Sequence, residues 1–227
     1  MSELLASEAT TAPACPPVAP PRVVQYFRCK CGEVEIELAG EPFLVNNCHC
    51  TMCIKVAHYL DAKGGGISSI AHTTGVAKAM FFLENVTYAK GKALLRPIKI
   101  GPEGKNVRSY TSCCNTLCNA DGGAGNPPFG FRPFNRNAIV NADGTPFAPP
   151  DVLNTQGETN PKWPDVPEPK CAGFPLADEK LGLVSSAEWG AGALLGDTTP
   201  GLYTDPATVD EFVPVTVPKV NSRFADD

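Results

Sequence analysis

The feature that most constrains this chain is the grouping of its ten cysteines. Only Cys15 and Cys171 stand apart from the other cysteines. The rest form three groups: Cys29 and Cys31; Cys48, Cys50 and Cys53; and Cys113, Cys114 and Cys118. In an extended chain residues two apart share a face, and a turn brings residues three apart together. The grouping therefore predicts metal ligands.

Composition indicates a globular protein and excludes several kinds of partner. The 227 residues are 43% hydrophobic, carry a net charge of -5 and contain no basic run, so we expect no nucleic-acid partner. The N-terminus lacks the features of a secretory signal, and no window approaches the ~18 apolar residues of a membrane span. We therefore expect a cytoplasmic protein without a membrane partner. In such a reducing compartment, close-set cysteines favour metal ligation over disulfides.

The sequence pattern predicts a body rich in β-strands. From Glu33 to Leu38 apolar and acidic residues alternate, which is typical of a half-buried strand. Residues 54–60 fit either a helical turn or a loop. The other predicted strands are 43–45, which leads towards Cys48, then 80–83, 86–88, and a hairpin of 94–100 with 106–112. The second arm of that hairpin runs directly into Cys113.

We predict three regions along the chain. Residues 1–22 are rich in Ala, Thr and Pro, so they are expected to form a flexible N-terminal arm. Residues 23–140 form the metal-binding body. In residues 141–227 the prolines disfavour long regular elements, although 185–195 and the stretch after Thr208 resemble short helices. This Pro-rich, loop-dominated extension contains several aromatic residues, so we expect it to pack on the same domain.

The order of three motifs resembles the glutathione-dependent formaldehyde-activating enzyme family, which includes centromere protein V. The motifs are Cys29-Lys30-Cys31-Gly32, then Gly40-Glu41-Pro42, then Cys48-His49-Cys50-Thr51-Met52-Cys53. The resemblance extends over roughly residues 27–134, and the ordered combination is more specific than any single Cys-x-x-Cys. It implies a mainly β fold, the β-tent (Mss4-like) zinc-binding fold, with two zinc ions.

The same resemblance divides the ligands between two sites. It implies that Cys29 and Cys31 hold a structural zinc together with the late cysteines. Cys48, Cys50 and Cys53 would hold the second ion in a more open, catalytic site. Four thiolates close the coordination of zinc, whereas three leave a position for water or substrate.

The late cysteine group departs from the family pattern, which is usually Cys-x-x-Cys-Gly-Thr. Here Cys114-Asn115-Thr116 aligns with Cys-Gly-Thr, which puts Thr111 where a ligand is expected. Cys113 or Cys118 would have to substitute for that ligand. Cys113, Cys114 and Cys118 are therefore all candidate zinc ligands.

The resemblance implies the joining of formaldehyde with glutathione, which is carbon–sulfur lyase chemistry. We expect a small-molecule substrate, with glutathione as the candidate, and a monomer or homodimer. The extension has no counterpart in compact members of the family, which favours a larger substrate and lyase, dehydratase or isomerase chemistry. The alternative is a non-catalytic, zinc-stabilised binding module in which the three-cysteine site is structural as well.

Five residues are candidates for contact with the substrate. Many relatives have arginine directly after the third cysteine, where this chain has Ile54 and then Lys55, so the contact to a glutathione carboxylate would be weakened or would move to Lys55. His58 would line the open site or cap a turn, and His49 points away from the metal because it lies between two ligands. The candidates are His49, Lys55, His58, Phe129 and Phe131, with Phe134 and Trp163 as further wall residues.

Overall fold

The computed structural model describes residues 23–71, 75–104, 106–122, 131–155, 165–171 and 206–215. Across those ranges no helix has the length and apolar character needed to cross a bilayer. Some of the sequence predictions lie outside the described residues, namely the arm 1–22, Cys15, Phe129, Trp163 and the helical segment 185–195. For Cys171 only the backbone is described.

Two β-sheets and one α-helix make up the described part of the chain, so the prediction of a mainly β fold is confirmed. The strands are β1 (Val24–Arg28), β2 (Glu35–Ala39), β3 (Leu44–Cys48), β4 (Val76–Phe82), β5 (Val86–Lys90), β6 (Leu95–Ile100), β7 (Val107–Thr111), β8 (Leu117–Gly122), β9 (Phe131–Asn135), β10 (Ile139–Asn141), β11 (Leu153–Thr155), β12 (Lys170–Cys171) and β13 (Phe212–Val213). The helix is α1 (Thr51–Lys63), and short 3₁₀ helices occupy Leu83–Asn85, Lys92–Leu94, Arg136–Ala138 and Pro206–Thr208.

The strands are ordered so that elements far apart in sequence become neighbours. The smaller sheet has the order β10-β1-β2-β5, and the larger has the order β12-β11-β3-β4-β9-β8-β7-β6-β13. Most pairs are antiparallel, whereas β11 runs parallel to β3 and β13 runs parallel to β6. The apolar faces of the two sheets share a core in which the Phe27 and Phe134 ring centroids lie 6.1 Å apart.

The predicted strands and the hairpin are confirmed. In β2 the alternation buries Ile36 and Leu38 completely and leaves the intervening acidic side chains half-buried. In the hairpin β6 and β7 pair with Leu95 opposite Thr111, so the second arm delivers Cys113 to the end of the sheet. Burial of one face of each strand fixes this register, because a slip by one residue would expose the apolar side chains.

Residues 54–60, which by sequence fit either a helical turn or a loop, belong to helix α1. Cys50 caps its N-terminus in an extended conformation, with its Sγ accepting from the Cys53 N–H at 3.4 Å. Cys53, Val56, Ala57 and Leu60 are buried, and their spacing is that of the apolar face expected of a helix that packs on a sheet. The helix ends at Lys63 and is capped by Gly64, whose φ of 71° is readily adopted by glycine.

The expected helix start after Thr208 is wrong, because residues 212–213 form strand β13. The 3₁₀ helix ends at Thr208, and Val209 and Val213 are buried. The edge strand β6 offers backbone groups to this segment, and Gly101 donates its N–H to the Val213 carbonyl at 2.9 Å. Pairing with an open sheet edge satisfies these groups in a way that a helix could not. The division of the chain at residue 141 stays a prediction.

Candidate metal centres

The first cluster contains four thiols from two turns that are far apart along the chain, one after β1 and one after β7. The sulfur atoms of Cys29, Cys31, Cys113 and Cys114 all lie within 4.8 Å of one another. Cys29 Sγ is 3.6 Å from Cys31 Sγ and 3.8 Å from Cys113 Sγ. Zinc–sulfur bonds of about 2.3 Å in a tetrahedron put sulfur atoms about 3.8 Å apart, whereas a disulfide needs about 2.05 Å. The spacing fits a tetrahedral zinc site.

Two turns build this four-thiol cluster. After β1, Gly32 donates its N–H to the Cys29 carbonyl at 2.9 Å, and Val34 donates its N–H to Cys29 Sγ at 3.2 Å. After β7 the chain turns again, and Asn115 adopts a φ of 58°, a left-handed conformation that asparagine tolerates. Asn115 occupies the position that aligns with glycine in the motif, and its Nδ2 donates to the Gly64 carbonyl at 3.0 Å.

Two threonines support Cys114 inside the second turn. The Cys114 Sγ lies 3.4 Å from Thr111 Oγ1 and 3.3 Å from Thr116 Oγ1. Burial raises the pKa of the Cys114 thiol, but these hydrogen bonds outweigh burial and lower the pKa to about 6. Burial together with the nearby thiols of Cys31 and Cys29 raises the pKa of Cys113 to about 12. Thr111 stands where the family pattern has a cysteine ligand. In this chain its hydroxyl contacts the Cys114 thiol and orients it.

The second cluster lies beneath α1 and is buried. Cys48 ends β3, Cys50 caps the helix and Cys53 lies in its first turn, and their exposed fractions are 0%, 6% and 6%. The Cys48 and Cys50 sulfurs are 3.5 Å apart, and all three sulfurs lie within 4.8 Å of one another. Among the described residues the group stops at three cysteines. The helix N-terminus favours thiolates at this position.

Two cations face this three-thiol cluster. Lys78 Nζ donates to Cys53 Sγ at 3.0 Å, and Arg108 Nη2 lies 3.9 Å from the same sulfur. Hydrogen bonds from Cys48 and Cys50, followed by the charges of Lys78 and Arg108, hold the pKa of Cys53 well below its ordinary value despite burial. The cluster thus places anionic sulfur against positive charge, which offsets part of the negative charge of three thiolates.

Neither Lys78 nor Arg108 is among the site residues predicted from the sequence. Lys78 is a single charge within β4, whose other side chains are apolar, and Arg108 is 6% exposed in β7. A basic residue inside an apolar strand indicates a buried anionic partner, because an unpaired buried charge is costly. That signal was available in the sequence at Val76–Phe82. It did not identify the partner, which lies on a different element.

A polar framework holds the stretch between Cys48 and Cys50. The fully buried His49 ring has its Nε2 2.9 Å from Asn154 Oδ1, and the His49 N–H donates to the Thr155 carbonyl at 2.9 Å. Asn154 in turn donates from Nδ2 to the Pro167 carbonyl at 2.7 Å. Burial lowers the pKa of His49. A Cβ on Gly75 would lie 2.9 Å from the His49 ring, so glycine is required for this close packing.

The structure places the two other polar candidates on α1. Lys55 Nζ donates to the Val215 carbonyl at 3.1 Å and therefore contacts the segment after β13. Lys55 and Cys53 are two residues apart in a helix, so their side chains do not share a face. His58 is half-buried, and burial lowers its pKa. Neither side chain belongs to a thiol cluster in the described structure.

Phe131 and Cys118 lie in the larger sheet, and Cys118 is a member of neither sulfur cluster. Phe131 is fully buried in β9, and its ring centroid is 5.3 Å from that of Phe43. Cys118 is fully buried in β8 and packs in the core shared by the sheets. Within the described residues the late members of the four-thiol cluster are Cys113 and Cys114. The strand direction explains this, because β8 carries Cys118 away from the turn.

A narrow pocket lies beside the three-thiol cluster. Its interior volume is about 20 Å³, which is room for one water molecule. Charged and amide side chains share it with apolar ones. The lining residues are Cys53, Val76, Ala77, Lys78, Arg108, Leu117, Cys118, Asn119, Ala120, Pro133, Phe134 and Asn135.

Comparison with known proteins identifies a family over part of the chain. The family model of the glutathione-dependent formaldehyde-activating enzyme matches residues 25–63, which confirms the resemblance over that stretch. A structural-genomics crystal structure of a Rhodobacter sphaeroides protein is 17% identical with a TM-score of 0.34, over 50% of this chain and 85% of that protein. No curated protein matches the chain.

Proposed function

We propose, from the match of residues 25–63 to the glutathione-dependent formaldehyde-activating enzyme family, that this chain is a zinc-dependent carbon–sulfur lyase. The observation that carries the proposal is the buried group of Cys48, Cys50 and Cys53. Three ligands leave one position of a tetrahedral ion for substrate. The proposal keeps the expected cytoplasmic setting, because reduced thiols are needed as ligands.

The chemistry of the donor sets supports zinc in both clusters. Sets made only of thiolates favour soft or borderline metals, and zinc is commonly found among them. The four-thiol cluster would hold a closed, structural ion through Cys29, Cys31, Cys113 and Cys114. The three-thiol cluster would hold the ion that meets the substrate.

Residues around the three-thiol cluster have separate tasks in this mechanism. When bound, zinc would supply Lewis acidity that keeps a substrate thiol deprotonated or polarises a carbonyl. Lys78 donates to Cys53 Sγ and offsets the negative charge of the ligand set. Burial of the three cysteines excludes bulk water, which strengthens electrostatic interactions at the reacting atoms.

The proposed reaction adds a thiol to a carbonyl compound, or reverses that addition. The thiol loses its proton, a carbon–sulfur bond forms, the carbonyl π bond breaks, and the carbonyl oxygen gains a proton. Formaldehyde with glutathione is the pair that the family name suggests. A larger metabolite, transformed by lyase, dehydratase or isomerase chemistry, is the variant that the long C-terminal extension favours.

Exchange spectroscopy tests the proposal. Glutathione and ¹³C-formaldehyde form an adduct spontaneously, so the measurement is the rate of exchange between free and bound aldehyde with and without the zinc-loaded chain. We expect acceleration that disappears in Cys50→Ala, while the circular dichroism spectrum stays native. Glyoxylate and longer aldehydes serve as alternative substrates.

A zinc-stabilised binding module is the second candidate, and the small volume of the pocket favours it. A cavity of about 20 Å³ has no room for a complete metabolite unless the surrounding residues move. For a module we expect two inert ions and no acceleration with any aldehyde. That result, obtained with fully loaded protein, would replace the enzyme proposal.

A further inference from the structure

Three nitrogen groups of different chemical type line the narrow pocket beside Cys53. Lys78 and Arg108 supply two positive charges, and the amide of Asn119 supplies a neutral donor. They come from β4, β7 and β8, while β9 lies between β4 and β8 in the sheet. Strand pairing therefore holds their positions, and the donors are arranged before any ligand arrives.

The Asn119 amide is the observation that points to a ligand. The side chain is 3% exposed, and its Oδ1 accepts a hydrogen bond from Ser109 Oγ at 2.6 Å. Its Nδ2 is buried and finds no hydrogen-bond partner within the described residues. A buried donor without a partner loses its hydrogen bonds to water and gains none in return, so such a group calls for an explanation. A ligand atom that accepts from Nδ2 would supply one.

Size and charge restrict that ligand atom. The pocket has room for one water-sized atom, about 20 Å³, and two of its three donors are cationic. Apolar residues such as Val76, Leu117 and Phe134 make up much of the remaining lining. An oxygen atom that carries negative charge fits these conditions, whereas the larger parts of a substrate would exceed the volume.

We propose that Lys78, Arg108 and Asn119 form an oxyanion pocket that accepts the substrate oxygen on which negative charge develops. The inference rests on the proposed function and names the substrate class of that site as a small carbonyl compound. Its carbonyl oxygen enters the pocket, and its carbon stays at the three-thiol cluster. Larger parts of a substrate would have to lie outside the pocket.

The pocket acts in the bond-forming step. The thiolate sulfur attacks the carbonyl carbon, a carbon–sulfur bond forms, and the π electron pair moves to the oxygen. Lys78, Arg108 and Asn119 donate to this oxygen, and the proton lost earlier by the thiol returns to it through water. Because these donors are prearranged, they favour the charged transition state over the neutral carbonyl.

Formate titration of the zinc-loaded full chain tests the pocket without relying on turnover. Formate presents a small anionic oxygen, and its binding is followed by titration calorimetry. We expect saturable binding that weakens about tenfold or more in Asn119→Asp, because the substitution places a carboxylate beside the two cations. Asn119→Asp retains the shape of the side chain and the acceptor for Ser109 Oγ, so the fold and zinc content are expected to persist.

Arg108→Gln is the second variant, and it should weaken formate binding to a similar extent. Arg96→Gln is the matched control, because Arg96 is an exposed arginine on the neighbouring strand β6, and it should leave binding unchanged. Equal formate affinity in the wild type, Asn119→Asp and Arg108→Gln would mean that the anion binds through the metal alone, and would overturn the proposal. Absence of saturable binding to the loaded wild type would overturn it as well.

The outcomes separate this inference from the proposed function. Acceleration of adduct exchange together with formate binding that is insensitive to Asn119→Asp would refute the pocket and retain the lyase. Formate binding that depends on Asn119 and Arg108, without acceleration by any aldehyde, would refute the lyase and retain the anion site.

Discussion

The two thiol clusters differ in their number of cysteines and in burial, and the cluster with more cysteines is the more exposed one. The cluster with four thiols lies near the surface, and its Cys31 and Cys113 are exposed. The cluster with three thiols, which would leave one position of a tetrahedral ion open, is buried beneath α1. A closed ion needs no access for substrate, so it can join two distant turns of the chain near the surface. A reactive ion gains from a water-poor environment.

The clusters also differ in what surrounds them. Neutral hydroxyls of Thr111 and Thr116 support the four-thiol cluster, whereas the cations Lys78 and Arg108 face the three-thiol cluster. Hydroxyl donors orient a thiolate without adding charge. Cations placed at one sulfur leave a strong field in the adjoining pocket, which suits chemistry in which charge develops. This comparison predicts different consequences for the loss of a ligand from each cluster.

The largest effect is expected for Cys29→Ser. Cys29 joins β1 to the turn after β7, and structural zinc contributes on the order of 10 kcal/mol to folding. We expect the variant to be unfolded at 25 °C, as measured by circular dichroism and by the loss of zinc in elemental analysis. A folded variant with one ion still bound at the four-thiol cluster would contradict the structural assignment.

Cys50→Ser is expected to have the second largest effect, on activity more than on folding. The change removes one ligand of the three-thiol cluster but retains a side chain able to cap α1. We expect one zinc ion per chain in place of two, a folded protein and loss of aldehyde exchange. If Cys50→Ser unfolded the chain as completely as Cys29→Ser, the distinction between the clusters would be wrong.

A smaller effect is expected for Asn154→Leu, which removes the hydrogen-bond partner of His49 Nε2. Losing one partner of a buried polar group destabilises the fold by about 1–3 kcal/mol. Because His49 lies between Cys48 and Cys50, we also expect weaker metal binding at the three-thiol cluster, by about tenfold. Competition with a chromophoric chelator measures that affinity, and the four-thiol cluster serves as the internal control. Equal weakening at both clusters would indicate a global effect.

Cys118→Ala is expected to have the smallest effect. Cys118 packs in the core outside both clusters, so the loss of one sulfur atom should cost about 1 kcal/mol and leave two zinc ions bound. Thermal unfolding and elemental analysis check the two parts separately. The loss of one ion per chain would show that Cys118 is a ligand after all.

Much of the fold and of the cluster membership could be read from local patterns. The alternation from Glu33 to Leu38 identified a strand, because side chains in a strand have a period of two. The hairpin prediction placed Cys113 at the end of a sheet. The resemblance paired Cys29 and Cys31 with the late cysteines, and the structure brings Cys113 and Cys114 to them. These inferences needed only short-range spacing or an ordered set of motifs.

By itself the sequence determined the grouping of thiols and the class of fold, because spacing and periodicity are local properties of the chain. Only the tertiary structure decided that Cys118 stays in the core, that β13 replaces a helix at the edge of β6, and that Lys78 and Arg108 meet at Cys53. These contacts join residues that are far apart along the chain. Their geometry depends on strand order and register across the whole larger sheet, which no short stretch of sequence specifies.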